Sequence, residues 1–213
     1  PLNNQLLNLS YGYGRVYVVP HEMVASDDRD SDDLQPQGGM CQLPIPDLPT
    51  GMIRGRFSEA DGQLYIGGMF SWAGSRQEQE GGLFRVQYRG GPVDLPTAIK
   101  AWDDGIEVTF SDPLDGDALA DLSRFRISTW DLKRTRNYGS KHFNERPLEV
   151  TSATLAEDRR TVRLTIPELR PTWGMEMVFR LRTSDGREIR RVIHNTIHYQ
   201  DSHLASKPAP RSN

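Results

Sequence analysis

Apolar and polar residues alternate in short runs along much of the chain. The stretch from Met52 to Tyr88 contains three of them, at residues 52–57, 63–67 and 83–88. Alternation with a period of two indicates strands that bury one face. Asp61-Gly62 separates the first two runs and suits a tight turn, because glycine accepts a positive φ at little cost. Gly81-Gly82 leads into the third run, so the stretch predicts three antiparallel strands.

A long polar loop separates the second of these runs from the third. Three antiparallel strands in this arrangement are typical of most of one β-propeller blade. Residues 6–10 and 15–19 are two more β-prone runs around a glycine turn, Tyr11-Gly12-Tyr13-Gly14, and predict another strand pair. We therefore predict that residues 1–94 form a partial β-propeller, its last blade or blades.

A linker rich in glycine and proline, RGGPVDLPT at residues 89–97, follows the third run, and its composition marks a boundary near Asp94. Beyond it we count about seven short strands at regular spacing, among them residues 105–111, 125–132, 148–155, 161–166, 175–182 and 188–197. That spacing is typical of an immunoglobulin-like or fibronectin-like β-sandwich. The chain is thus predicted to be all-β, with a sandwich over residues 95–200 that has its own core and folds alone. Residues 201–213 are predicted to be a disordered tail.

Composition narrows the classes of function. The 213 residues carry a formal net charge of −3, so no global basic field favours nucleic acid as a partner. No run approaches the roughly 18 apolar residues of a membrane span. The single cysteine, Cys41, allows no internal disulfide and is expected to be buried. The chain begins without Met or a signal-peptide pattern, so we expect a mature form or a fragment.

Metal binding is weakly indicated. The acidic run DDRDSDD at residues 27–33 offers hard oxygen ligands for calcium, but it lacks the glycine turn and the distal glutamate of an EF-hand loop. We expect a solvated loop there. His194 and His198 lie four residues apart in a predicted strand, about 13 Å from each other at roughly 3.3 Å per residue. One ion cannot bridge that distance, so we predict no metal site and assign no catalytic residue.

Arg54 and Arg56 are the sharpest candidates for ligand binding. Their spacing of two places both guanidinium groups on one side of a strand, and two such cations can clamp an anionic cofactor. Alternatively, they pair with Glu59, with Asp61 or with acids of a neighbouring blade.

A second candidate surface is the basic and aromatic segment at residues 130–143, WDLKRTRNYGSKHF. Such a mixture can contact nucleic acid, an anionic sugar or an acidic protein surface. The alternative is a long loop whose aromatic rings pack while its charges stay hydrated. The predicted contact residues are Trp130, Arg134, Arg136, Tyr138, Lys141 and His142.

Two segments carry a family resemblance, GMIRGRFSEADGQLYIGG at residues 51–68 and GGLFRVQYRG at residues 81–90. They resemble the closing blade of the soluble quinoprotein sugar dehydrogenases, which are six-bladed propellers. Residues 2–199 as a whole are similar to the C-terminal part of large exported proteins of planctomycete-type bacteria, in which a β-sandwich follows a propeller. The sandwich motif there is like Tyr138-Gly139-Ser140-Lys141-His142, and the ending is like IHNTIH at residues 193–198.

The resemblance implies several properties. Arg54 and Arg56 fall on an Arg-x-Arg pair that contacts pyrroloquinoline quinone in the complete quinoprotein. The catalytic histidine and the calcium ligands of that family lie in other blades. The location implied is periplasmic or extracellular, in a bacterium, and the implied partners are the remaining propeller segments or another protein chain.

The principal functional hypothesis is therefore a C-terminal portion or subunit of an exported dehydrogenase-like propeller protein. Such a chain would not be catalytic by itself and would act in structural completion and in protein or ligand interaction. One alternative is a carbohydrate- or protein-binding β-sandwich module. The other is part of a quinoprotein-type sugar dehydrogenase site, in which Arg54 and Arg56 hold the anionic cofactor.

Overall fold

The computed structural model describes residues 2, 4–25, 34–70 and 78–202. The acidic run at residues 27–33, Trp72 and the predicted tail beyond Ser202 lie outside the described residues. Those described form fifteen β-strands and two short 3-10 turns, Asp117–Ala120 and Leu122–Arg124. The strands are β1 Leu6–Ser10, β2 Arg15–Val19, β3 His21–Ala25, β4 Leu34–Gln42, β5 Met52–Phe57, β6 Leu64–Met69, β7 Gly81–Val86, β8 Pro96–Trp102, β9 Gly105–Phe110, β10 Phe125–Asp131, β11 Phe143–Leu148, β12 Ser152–Leu155, β13 Thr161–Thr165, β14 Thr172–Arg182 and β15 Glu188–Ile197.

The predicted all-β class is confirmed. The strands form three antiparallel sheets, none of which closes into a barrel. The largest sheet has the order β1-β2-β4-β15-β14-β10-β11, with β3 also paired to β4. A second sheet has the order β12-β13-β9-β8, and the third consists of β5, β6 and β7. No helix among the described residues has the length and apolar character that crossing a membrane requires.

The large sheet and the four-stranded sheet face each other across an apolar core. Phe110 of β9 meets Phe179 of β14 edge to face, with ring centroids 5.9 Å apart, and Phe125 of β10 meets Phe179 at 5.7 Å. Such pairs add about 0.5–1.5 kcal/mol beyond the area that they bury. The two layers form a sandwich, while the finer immunoglobulin-like class stays a prediction.

The three-stranded sheet follows the predicted pattern. β5 pairs with β6 and β6 with β7, both antiparallel, and Gly62 in the first turn has a φ of 66°. Gly55 keeps β5 close to its neighbours, because a Cβ there would lie 3.2 Å from Cδ1 of Leu9 and 3.3 Å from Cδ1 of Leu64. Whether this sheet is a propeller blade stays a prediction.

The structure does not contain the two separate cores that we predicted on either side of Asp94. β4 pairs with β15 in the register Met40 to His194 and Cys41 to Ile193, so the large sheet crosses the predicted boundary. One continuous core includes residues from both sides of it, such as Val18 and Cys41 together with Phe179. The reason is that β1 and β2 join the large sheet only by way of β4, and that sheet is what buries their apolar side chains.

A buried glutamine makes a second connection between the halves. The Gln37 amide group donates to Glu22 Oε1 at 2.7 Å and to the carbonyl of Tyr199 at 2.9 Å. Its carbonyl oxygen accepts the backbone N–H groups of His198 and Tyr199, each at 2.9 Å. Glu22 Oε1 also accepts the N–H of Ala101 at 2.8 Å. Every polar atom of the glutamine is satisfied, which burial requires.

The linker itself is pinned at Asp94, which is only 3% exposed and has a φ of 52°. Arg187 Nη1 donates to its carboxylate at 2.6 Å, and Arg191 Nε donates to its carbonyl at 2.7 Å. Its N–H donates to Asp112 Oδ2 at 2.7 Å. The hydrogen bond to Asp94, followed by that to Asp185, raises the pKa of Arg187. These hydrogen bonds therefore hold the linker in place at the predicted domain boundary.

Several strand predictions fail for identifiable reasons. β4 contains Pro36, Gly38 and Gly39, which predict a loop. It is a strand nevertheless, because it pairs with strands on both of its sides. Pro36 lies before the part paired with β15, where only β3 is bonded to β4, and proline is tolerated at such places. The single strand predicted at residues 148–155 is two strands, because the chain passes from the large sheet to the four-stranded sheet between Leu148 and Ser152.

Cys41 is buried, as predicted, with 1% of its surface exposed. Burial raises the pKa of its thiol to about 11. The thiol is therefore a core group of β4 and has little thiolate at neutral pH.

The shared core predicts that the second half does not fold alone. A chain of residues 97–202 leaves β15 as an uncovered edge. It also lacks eight buried core side chains, those of Val16, Val18, Cys41, Leu43, Met52, Leu64, Ile66 and Leu95. We expect it to show no cooperative thermal transition by near-ultraviolet circular dichroism, whereas the full chain melts cooperatively. A sharp melt of the shortened chain would restore the two-core division.

Glu22 supplies a prediction about pH. Burial raises the pKa of its carboxyl, against the lowering effect of the hydrogen bonds from Gln37 and Ala101. Because the folded pKa exceeds the unfolded one, the stability that Glu22 contributes is full below the unfolded pKa and is lost as the pH rises through the folded pKa.

We therefore expect Glu22→Gln, which keeps the acceptor for Ala101, to retain the free energy of unfolding at about pH 8 and to weaken its decline from about pH 5. Glu22→Ala leaves the Ala101 N–H unpaired and should cost about 1–3 kcal/mol. Urea unfolding at both pH values measures the free energy of unfolding of each variant. If the two variants lost equal stability, the acceptor role of residue 22 would be contradicted. If Glu22→Gln kept the full decline with pH, titration of Glu22 would have no role.

Candidate functional site

The outer face of the large sheet, which points away from the four-stranded sheet, carries an open groove of about 740 Å³. β4, β15, β14 and β10 all contribute to it. Its lining is mostly apolar and aromatic and includes Leu6, Met40, Trp130, Leu132, Trp173, His194 and Thr196. Binding sites for small molecules typically combine such a lining with a few polar groups, in volumes of about 300–1,000 Å³.

Trp173 is the exposed aromatic ring of this groove. It is 68% exposed and lies where the pairing of β14 with β15 shifts register between Thr172 and Met175. The hydroxyl of Thr196 donates to the Trp173 carbonyl at 3.0 Å. The ring meets that of His198 edge to face, with centroids 5.1 Å apart. A bulge of this kind re-aims a side chain, and here it leaves an indole available to a ligand.

Trp130 also lines the groove but is largely covered. It is 9% exposed and its ring stacks on that of His142, with centroids 3.9 Å apart and planes 11° apart. The indole packs against Gly174, where a Cβ would fall 2.2 Å from Nε1. His142 Nδ1 in turn lies 3.0 Å from Glu145 Oε2. Of the six predicted contact residues, Trp130 and His142 therefore meet in one stack. Of these two, only Trp130 lines the groove.

The other four predicted contact residues, Arg134, Arg136, Tyr138 and Lys141, lie on the exposed loop between β10 and β11. Tyr138 is fully exposed. None of the four lines the groove. The Ser140 hydroxyl accepts the N–H of Lys133 at 2.9 Å, and the Lys133 ammonium lies 4.5 Å from the centre of the Phe143 ring. The part of the loop that packs is thus distinct from the part that stays hydrated.

Charged groups lie beside His194, which lines the groove, but Arg126 and Glu176 are not part of its lining. The Arg126 guanidinium donates to Glu176 Oε1 at 2.7 Å, and His194 Nε2 lies 4.0 Å from Glu176 Oε2. The His194 side chain is about half exposed. Arg126, Glu176 and His194 together supply both hydrogen-bond donors and acceptors next to the aromatic surface.

Arg54 and Arg56 lie elsewhere, on one face of the three-stranded sheet. The register places Arg56 beside Tyr65 and Tyr65 beside Arg85, so Arg54, Arg56 and Arg85 share that face. We call it the arginine face. All three side chains are exposed, and among the described residues no carboxylate lies within 4.0 Å of their guanidinium groups. The predicted pairing with Glu59 or Asp61 is therefore absent from the described ion pairs.

A second cavity, of about 810 Å³, lies where the three-stranded sheet meets the linker and the large sheet. Its walls include Leu7, Phe57, Val86 and Ile189. The charged groups at its side, Asp94, Arg187 and Arg191, are bonded to one another or to backbone. These groups are already hydrogen-bonded around Asp94, so this cleft offers a ligand mainly apolar surface.

Among the described residues, no group of three His, Cys, Asp or Glu side chains is placed to hold a metal ion. His194 is in β15 and His198 follows it directly, as the strand prediction requires.

Comparisons of the chain with protein-family models, with curated proteins and with solved structures give no match. The class that the fold defines is an all-β protein built from three antiparallel sheets. The assignment to an exported dehydrogenase-like family stays a prediction.

Sequence reasoning missed Trp173. The prediction started β14 at Met175, and Pro171 and Gly174 beside the tryptophan favour a turn. A tryptophan between two strand breakers was the only signal, and it does not by itself distinguish a core ring from an exposed one.

The two indoles should differ in fluorescence. We expect Trp173→Phe to remove red-shifted emission that acrylamide quenches readily, and Trp130→Phe to remove blue-shifted emission that resists quenching, because only the second ring is covered by His142. Difference spectra against the unsubstituted chain separate the emission of Trp173 and Trp130 from the emission of Trp72 and Trp102. Equal quenching of the two would contradict the stack.

Proposed function

We propose that this chain is a binding module that holds a saccharide in the groove on the outer face of its large sheet. The observation that carries the proposal is the exposed ring of Trp173 within an apolar groove. A sugar presents C–H groups on one face and hydroxyls at its rim, so it matches an aromatic ring bordered by polar groups.

The polar groups beside Trp173 support the same ligand class. His194 and Thr196 are polar residues of the groove lining, and Glu176 Oε2 lies 4.0 Å from His194 Nε2 just outside that lining. Sugar hydroxyls both donate and accept. The groove is open, which suits one segment of a chain of sugars better than an enclosed small molecule.

We further propose, from the resemblance of the sequence, that the module is a C-terminal portion of a larger exported protein with a periplasmic or extracellular location. In that setting it would act in structural completion and interaction, and other segments would carry any catalysis. Exposed sheet faces on both the large and the three-stranded sheet support an interaction role.

The alternative, in which Arg54 and Arg56 hold pyrroloquinoline quinone, fits this chain poorly when it is considered alone. Neither arginine lines the groove or the cleft. In the part of the chain that the structure describes, the arginine face supplies positive charge but no walls to enclose a planar cofactor, so we derive no chemistry through it.

The saccharide proposal is tested by calorimetric titration with cello-, xylo-, chito- and malto-hexaose. We expect at least one to bind, and Trp173→Ala to weaken it at least about tenfold, or about 1.4 kcal/mol. Tyr138→Ala is the matched control, because this ring is exposed but outside the groove, and its affinity should be unchanged.

If Tyr138→Ala weakens binding and Trp173→Ala does not, the loop at residues 130–143 is the contact surface instead. If none of the four hexaoses binds, the saccharide proposal is withdrawn for these classes of glycan.

A further inference from the structure

Among the described residues, β7 is an edge strand. β7 is the last strand of the three-stranded sheet, and β6 is its sole hydrogen-bonded neighbour among the described residues. Natural proteins usually protect such edges with proline, lysine, a bulge or a covering segment. The sequence of β7, GGLFRV, contains no proline or lysine, and its pairing with β6 runs without a register shift.

The hydrogen-bond pattern identifies which backbone groups are free. The N–H of Phe70 donates to the carbonyl of Glu80 at 2.7 Å, so the residue pair 70 and 80 is a bonded pair. In an antiparallel ladder the bonded pairs recur at every second residue. Residues 82, 84 and 86 therefore face β6, and Gly81, Leu83 and Arg85 point their N–H and C=O groups away from it. The outward carbonyl of Gly81 already accepts the Gln79 side-chain amide, so Leu83 and Arg85 supply the free groups.

The side chains along this edge add a chemical preference. Leu83 is 75% exposed and Arg85 is exposed on the same side, which is the arginine face. Phe84 and Val86 point to the opposite side, where they pack against the core. A strand added to β7 would thus meet an arginine on one side and apolar rings and methyl groups on the other.

Charge strengthens this preference. Arg54, Arg56 and Arg85 place three positive charges on one face of a molecule whose net charge is −3. One acid, Asp61, also reaches this face, where it accepts the Tyr65 hydroxyl at 2.9 Å. Directly opposite side chains on paired strands have Cβ atoms about 4.5–5.5 Å apart, so a carboxylate opposite Arg85 could pair with it. Arg54 and Arg56, two strands away, would contribute through the longer-range field.

We propose that the edge of β7 binds an extended acidic segment of a partner protein by strand addition. The segment adds an antiparallel fourth strand through the backbone of Leu83 and Arg85. It places acidic side chains over the arginine face and apolar side chains beside Phe84 and Val86. Main-chain bonds supply affinity in this mode, and the alternating side chains supply specificity. This inference does not depend on the saccharide site, which lies on a different sheet.

The test uses a fluorescein-labelled heptapeptide of alternating valine and glutamate, titrated by anisotropy. Two matched peptides are the controls, one with lysine in place of glutamate and one methylated on alternate backbone nitrogens. We expect the acidic peptide to bind, and both controls to bind at least about tenfold more weakly. Methylation removes backbone donors without changing charge, so it separates strand addition from simple charge attraction.

Hydrogen exchange locates the contact. The amides of Leu83 and Arg85 should exchange rapidly in the free protein and become protected when the acidic peptide is added. The amides of Phe84 and Val86, which already bond to β6, should change little. Protection at β1 or β5 in place of β7 would overturn the proposal.

Variants complete the test. Arg85→Glu should weaken binding of the acidic peptide at least about tenfold. Leu83→Pro removes an outward N–H donor and should abolish binding, while Leu83→Ala keeps that donor and should lose much less. If Leu83→Pro does not fold, the methylated peptide and the exchange pattern still decide.

If the methylated peptide binds as well as the unmodified one, or if a single-stranded oligonucleotide competes fully for the same site, the arginine face is a general anion patch. Strand addition is then wrong.

Discussion

The pairing of β4 with β15 is the constraint on which the rest of the structure depends. β1, β2 and β3 all reach the large sheet through β4, and the four residue pairs from Gly38 to Cys41 connect that strand to β15. The apolar side chains of β2 and β4 then complete the same core that the four-stranded sheet covers from the other side. A chain that could be divided near Asp94 by composition is therefore held together by backbone hydrogen bonds and by one continuous core.

Polar groups fix the register of this assembly. Gln37 joins β3, β4 and the end of β15, and Asp94 joins the linker to β15 through Arg187 and Arg191. Buried polar groups cost free energy unless every partner is present. A slip of β4 by one residue would leave Gln37 without its four partners, so these contacts disfavour alternative pairings that apolar packing alone would tolerate.

The proposed binding surfaces follow from what the sheets leave uncovered. The large sheet buries its inner face and leaves its outer face open, where the bulge at Trp173 turns an indole into the groove. The three-stranded sheet packs one face toward the core and leaves the arginine face and the edge of β7 exposed. One surface offers aromatic stacking and the other offers backbone donors next to positive charge, so the two favour chemically different ligands.

The sequence by itself determined the local structure. Alternation and turn residues predicted the all-β class, the bounds of β1, β2, β5 and β15, and the hairpin at Asp61-Gly62, because these depend on neighbours close in the chain. Tertiary structure decided that Leu34–Gln42 is a strand despite Pro36 and two glycines, that the halves share a core, and that Trp173 is exposed while Trp130 is covered by His142. These outcomes depend on partners more than a hundred residues away, or on a register shift between strands, and no local pattern encodes either.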